Sequence, residues 1–201
     1  MLINTIREGG IMSGFAEPPS PHMVSDLVIW LQENGGILNK VEISQKKDDS
    51  GEYGVYVPAE GPEPDDQEMV ISVPIHLCIS VESILSSPLQ VIFESEDFGG
   101  LIQYPDEVMA IGLMAGLGPG LPWSNHVSTM PKTLNSTLYW TEEELRLLSP
   151  CTTYHLTNLM RRQIQSDWDS IQAPLAAAYP DLMKHSSLEN YSWALSMIYS
   201  R

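Results

Sequence analysis

Positive charge is scarce in this chain: ten Lys and Arg stand against 26 Asp and Glu, giving a formal net charge of −16 in 201 residues and a pI near 4.4. So few bases cannot neutralise a phosphate backbone or an anionic membrane surface, which excludes nucleic acid and membranes as partners and favours a basic one. Cysteine is nearly as rare. Cys78 and Cys151 are too few for a disulfide framework, and their apolar neighbours predict two buried, reduced thiols in an intracellular protein. No apolar run approaches the roughly 18 residues of a membrane span. Met1 to Ile6 is too short for a signal-peptide core before Arg7 and Glu8 intervene. The expected location is the cytoplasm or nucleus, where the sequons at Asn135 and Asn190 carry no glycan.

Familiar catalytic spacings are missing too. Cys151 and His155 stand four apart with no second pair nearby, and His22, His76, His126 and His185 are scattered without a Cys or carboxylate partner; no metal is expected. There is no Gly-x-Ser-x-Gly elbow and no His-Glu-x-x-His. Gly116, Gly118 and Gly120 do not make a phosphate loop, because neither a strand before them nor a Lys-Ser/Thr after them is present. The five tryptophans are expected in the core.

What is present is a core-forming composition, 43% hydrophobic, whose periodicity changes along the chain. Residues 1–22, with Gly9, Gly10, Gly14 and the Pro18-Pro19-Ser20-Pro21 cluster, predict a mobile leader. Leu27, Trp30 and Leu31 have helical spacing, and Gly35 suits a left-handed helix end. Val41 with Ile43, Tyr53 to Val57, Met69 to Val73, and Leu77 to Ile79 then predict short strands, separated by the proline-rich turn from Pro58 to Asp66.

From Pro105 onward the pattern is helical. Pro105, Asp106 and Glu107 begin a helix apolar nearly all round, and therefore buried. Thr141-x-x-Glu144 and Ser186-x-x-Glu189 have the spacing of capping boxes, and a long helix is expected from about Thr153 to Ala173, ended by Pro174. Strands are thus confined between Gly36 and Ile79, with helices after them. Between Lys47 and Lys132 there is no Lys or Arg, while Asp48, Asp49, Glu52, Glu60, Glu63, Asp65, Asp66 and Glu68 gather. This run reads either as a solvated loop or as a rim that attracts a basic peptide.

The order of these segments resembles a SET domain of the Rubisco large-subunit methyltransferase class. Trp30-Leu31-Gln32-Glu33-Asn34-Gly35-Gly36 with the strand at Val41 to Ile43 is similar to its opening, and Gly51-Glu52-Tyr53-Gly54-Val55-Tyr56-Val57 to its G-x-G-L-like turn and strand. Val70 to Ile79 resembles the "V-P-x-x-L" strand pair, and Val81-Glu82-Ser83 the helix start after it. Trp123 with Met130-Pro131 resembles the "W…L-P" stretch. Ser136 to Leu145, Asn190-Tyr191-Ser192-Trp193-Ala194 and Tyr199-Ser200-Arg201 are similar to the later signatures.

The resemblance implies an α+β fold in which residues 23–86 form the β-rich start of the SET domain, 87–185 a helical insertion, and 186–201 a helix returning to the core. It implies S-adenosyl-L-methionine as cofactor, held by Gly51, Glu52 and Tyr53 as turn backbone and by Arg201, and a protein-lysine substrate. Glu52 stands where the family commonly has glycine. The Asn-His and Tyr that follow "S-R" in the family are not among these 201 residues, and Asn125-His126 precedes the Trp140-Thr141-Glu142-Glu143-Glu144 segment. No catalytic residue is therefore assigned, a truncated SET fragment with weak or no cofactor binding is expected, and the alternative is an acidic, non-catalytic protein-binding module.

Overall fold

The computed structural model describes residues 19–45, 53–100, 104–132, 134–181 and 184–200. Helix α1 (Pro21–Glu33) begins inside the stretch read as a leader, because the Ser20 hydroxyl accepts from the Met23 N–H at 3.4 Å and Pro21 needs no partner in the first turn. The rest of that stretch, residues 1–18, lies outside the described residues. Gly35, with φ +88°, is the left-handed residue that ends the helix. Within α1, His22 has a carboxylate partner after all: its Nδ1 lies 2.8 Å from Asp26 Oδ2, one helical turn on.

All described strands fall between Ile37 and Ser72, in two separate antiparallel pairs. β1 (Ile37–Leu38) pairs with β4 (Ile71–Ser72), and β2 (Glu42–Gln45) with β3 (Tyr53–Tyr56) in a register that sets Ile43 opposite Val55. Lys40 turns the corner between β1 and β2 at φ 56°, where side chains are uncommon. Its ammonium donates to Glu68 Oε2 at 2.5 Å, while the Asn39 amide donates to Oε1 at 2.9 Å and the Asp65 N–H to Oε2 at 3.1 Å. The hydrogen bond from Lys40, then those from Asp65 and Asn39, hold the Glu68 carboxyl below the usual range. One member of the acidic run is thus a latch between strands rather than a solvated rim group.

The strand expected at Leu77 to Ile79 does not form. Ile75–Leu77 is a 3₁₀ turn, with the Leu77 and Cys78 N–H groups donating back to the Pro74 and Ile75 carbonyls at 2.9 and 3.1 Å. Ser80 then caps α2 (Val81–Leu85) through a reciprocal box with Ser83, so the extended Cys78 and Ser80 lie between a turn and a helix start. The thiols also depart from expectation: Cys78 is half-buried, and Cys151 is exposed at the entrance of a helix.

The core lies in the helical part, built from α3 (Gln90–Phe93), α4 (Glu96–Gly99), α5 (Pro105–Gly116), α6 (Ser124–Ser128), α7 (Glu142–Arg146), α8 (Thr152–Ala178) and α9 (Leu188–Ser200). Helix α5 is its axis, buried at Val108 and from Ala110 through Gly116, and it packs along α9. The Tyr104 N–H donates to Glu107 Oε2 at 3.1 Å, closing the first turn. Trp123, Trp168 and Trp193 are buried as expected, whereas Trp30 and Trp140 are half-buried.

Two helix boundaries differ from the sequence reading. Helix α8 runs through Pro174 because the turn beyond it is anchored: Leu175 is fully buried, and its carbonyl accepts the Tyr179 N–H at 2.9 Å. That burial offsets the hydrogen bond a proline removes. Helix α9 starts one residue later than the Ser186-x-x-Glu189 pattern suggests, with the Ser187 hydroxyl accepting from the Asn190 N–H at 3.1 Å.

Close packing at Gly112 gives a direct test. A Cβ there would sit 2.4 Å from Ile84 Cδ1 and 2.7 Å from Ile84 Cγ1, and Ile84 is fully buried. Gly112→Ala is expected to lower stability by about 1–3 kcal/mol through overpacking, against a helix-propensity gain of about 1 kcal/mol. A urea melt with an unchanged or higher midpoint would show that Ile84 gives way.

Candidate functional site

Of the four residues that the resemblance assigns to the cofactor, only Tyr53 is described. It opens β3 opposite Gln45 and is half-buried. Gly51, Glu52 and Arg201 lie outside the described residues. What the fold does place is the pair of elements that lead to them. The β2–β3 pairing runs toward Gly51 and Glu52, and α9 runs toward Arg201.

β2, through Ile43, and α9, through Met197 and Ile198, line one cleft of about 410 Å³, whereas Tyr53 lines a separate cavity with Pro21, Val24 and Gln45. Ile43 of β2 stands on one side and Met197 of α9 on another; Leu31 of α1, Leu77, and Met109 and Leu113 of α5 complete much of the wall. No Asp, Glu, Lys or Arg is among its described lining residues, and its polar groups include the Cys78 thiol and the His126 imidazole. His126 belongs to α6, so this one member of the Asn125-His126 dipeptide reaches the cleft, from the helical insertion and not from a segment after α9, while Asn125 is exposed. Among the described residues, no three His, Cys, Asp or Glu side chains gather to hold a metal ion.

Side-chain links that the sequence reading missed hold the helical wall. Arg161 of α8 gathers the segment before α7: its Nε donates to the Leu138 carbonyl at 3.2 Å, Nη2 to the carbonyls of Thr137 (3.1 Å) and Trp140, and Nη1 to Glu142 Oε1 at 2.8 Å. A planar fork of donors suits such a carbonyl cluster, where a lysine would supply only one point of attachment. Tyr139 O–H donates to the buried Ser196 of α9 at 2.9 Å. Burial, opposed by that bond to Ser196, raises the Tyr139 hydroxyl above its ordinary range. Tyr199 donates its O–H to Asp106 at the start of α5, tying the last turn of α9 to the core axis. These partners are 93 residues apart in sequence, and no local spacing announces them.

The Tyr199 link predicts an alkaline dependence. Burial, then the hydrogen bond to Asp106, push its hydroxyl up to about 12 from an ordinary 10.0. The folded chain therefore keeps a proton that the unfolded chain releases, so this contribution is fully present below pH 10 and is lost as pH rises toward 12. Stability measured across that window is expected to fall less steeply for Tyr199→Phe than for the unaltered chain, and identical slopes would show that Tyr199 is not the titrating group.

No family model matches the chain. It is 25% identical over 181 residues to the actin-histidine N-methyltransferase of Mus musculus and 24% identical to that of Homo sapiens. Each match covers 88% of this chain and 29% of the relative, so the chain spans less than a third of their length. Among solved structures, Rubisco LSMT bound to sinefungin and monomethyllysine superposes with a TM-score of 0.73 at 20% identity, over 90% of this chain and 41% of that one. The SET domain of LSMT bound to lysine and AdoHcy also gives a TM-score of 0.73, over 90% of this chain and 40% of that one. The described residues therefore have the SET-type fold of the Rubisco large-subunit methyltransferase class that the order of segments implied, a small β-rich part followed by helices.

Proposed function

We propose that these 201 residues contribute the cofactor turn and one wall of the substrate cleft to an S-adenosyl-L-methionine-dependent protein N-methyltransferase of SET type. In this reading 23–86 and 186–201 are the SET part and 87–185 the insertion. The observation that supports it best is convergence: β2, which precedes Gly51 and Glu52 in sequence, and α9, which precedes Arg201, border the same cleft. The substrate is a protein side-chain nitrogen, lysine first on the resemblance; histidine is the residue in the name of the relatives.

The described lining residues do not by themselves fit the cofactor. They offer an apolar wall and no carboxylate, lysine or arginine for its ammonium, carboxylate or sulfonium groups, and a polar group stripped of water without a partner is costly. No transfer step is therefore assigned to them, and the chain alone is read as inactive. The alternative reading, a non-catalytic acidic protein-binding module, is supported by Glu60, Glu63, Asp65 and Asp66, which are exposed on the loop between β3 and β4 and would draw a basic protein partner to this side.

Titration with S-adenosyl-L-methionine, followed by amide chemical shifts, tests both halves of the proposal. The expected result is weak binding, in the millimolar range or about −4 kcal/mol, with shifts at Tyr53 and at the end of α9. Absence of shifts there at millimolar cofactor would remove the cofactor assignment. Micromolar affinity would overturn the inactive reading and make Gly51, Glu52, Tyr53 and Arg201 the first residues to mutate.

A further inference from the structure

Helix α8 carries two stripes. Ile164, Trp168, Ile171 and Leu175 are buried against the core. Turned away from them, a second row made of Leu156, Leu159, Gln163, Ser166, Ser170 and Ala173 is exposed throughout. Its steps alternate between three and four residues, the heptad rhythm by which a helix presents one seam to a neighbouring helix. The row is also graded in size. Leu156 and Leu159, 59% and 56% exposed, stand at one end, and serines and an alanine follow at the other.

Size and charge together decide what covers the row. Two copies of α8 laid antiparallel, with Gln163 of each facing Ser166 of the other, set Leu156 against Ala173 and Leu159 against Ser170. Large then meets small at every level, whereas a parallel pair stacks leucine on leucine and leaves the small end unfilled. The flank of the row makes the same choice. Arg162 and Asp169 are both exposed there, each one residue before a row position. Among the described residues Arg162 has no hydrogen-bond or ion-pair partner, and Asp169 accepts only from the Gln165 and Gln172 amides, at 2.8 and 3.3 Å. Antiparallel pairing brings Arg162 of each copy to Asp169 of the other, and parallel pairing brings like charges together.

We infer that the exposed row of α8 is a two-fold contact through which two copies of this chain pair, helix antiparallel to helix. The same patch on both copies is then self-complementary, as a two-fold interface requires. A net charge of −16 opposes contact between copies in general. Helix α8 itself, however, holds two arginines and two aspartates, and at physiological ionic strength charges more than about 8 Å apart are largely screened. The pairing does not depend on the methyltransferase reading, since no assigned cofactor residue lies on α8.

Sedimentation equilibrium of the unaltered 201-residue chain tests this. A single helix pair lies at the small end of specific interfaces, so the expected result is a monomer–dimer equilibrium with a dissociation constant of about 10–100 µM. Leu156→Gln with Leu159→Gln is expected to weaken it at least about tenfold. Arg162→Asp alone and Asp169→Arg alone are each expected to weaken it about tenfold, because each like pair then sets equal charges together twice. Mixing these two variants is expected to recover the unaltered affinity, since the mixed dimer has opposite charges at both contacts. A mixed dimer no tighter than either variant alone would overturn the antiparallel arrangement. A chain monomeric up to about 1 mM would leave the row to a different molecule and overturn the proposal, as would a dimer that these substitutions leave unchanged. Should the leucine variant fail to fold, the mixture of the two charge variants gives the answer, since both change exposed side chains.

Discussion

The burial of α5 is the constraint on which the rest of the fold depends. A helix apolar around nearly its whole circumference has no stable face toward water, so it must be enclosed. Helices α2, α6 and α9 enclose it, and each approach is close. Ile84 comes in where Gly112 has no Cβ, and the Trp123 indole N–H donates to the Gly112 carbonyl at 2.9 Å. Gly112 thus admits a branched side chain from α2, and Gly116, where a Cβ would lie 2.8 Å from Trp123 Cδ1, admits the edge of the tryptophan. The absence of Lys and Arg from Asp48 to Pro131 is compatible with this arrangement, because a base on α5 would have to be buried without water.

The β-rich part depends on that enclosure from outside. Among the described residues from Pro21 to Ile79 the buried apolar side chains are Val24, Leu31 and Leu77, too few to hold two separate strand pairs by themselves. Leu31 and Leu77 face the cleft together with Met109, Leu113 and Met197, so the two parts meet across partly filled apolar space. Polar links compensate locally. Lys40, Asn39 and the Asp65 N–H converge on Glu68 and tie the β1–β2 corner to the loop before β4. Because that carboxyl is held low, this latch is present above the ordinary carboxylate range and is lost as acid protonates Glu68.

Features that a local run of residues determines were legible in the sequence. Pro105 with Glu107, the Thr141–Glu144 box, the left-handed Gly35 and a strand in the aromatic, β-branched run from Tyr53, there Tyr53–Tyr56, all appear where their patterns place them. Features decided by distant packing were not. Pro174 lies inside α8 because Leu175 finds a buried place, which no rule about proline contains. Leu77 to Ile79 has the composition of a strand but lies between Pro74 and a helix cap, so its N–H groups close a turn. The candidate site was legible only as an order of segments: the cleft is assembled from residues as far apart as Leu27 and Ile198, and Tyr53 lines a different cavity.

The few bases of this chain show how an acidic sequence meets its structural needs. Lys40 serves Glu68, and Arg161 serves three carbonyls and Glu142. Both are only about a quarter exposed, and both hold backbone segments rather than decorate the surface. These two charges are drawn inward to where geometry requires them, while Lys132, Arg146, Arg162 and Lys184 stay exposed and the acids of the β3–β4 loop outnumber any base nearby. Mobile salt screens the field of those acids within about 10 Å at ordinary ionic strength, whereas a half-buried pair is screened much less. Raising the salt therefore separates the two uses of charge: it weakens attraction of a basic polypeptide to the exposed loop acids and leaves the Lys40 and Arg161 contacts, and with them the fold, largely in place.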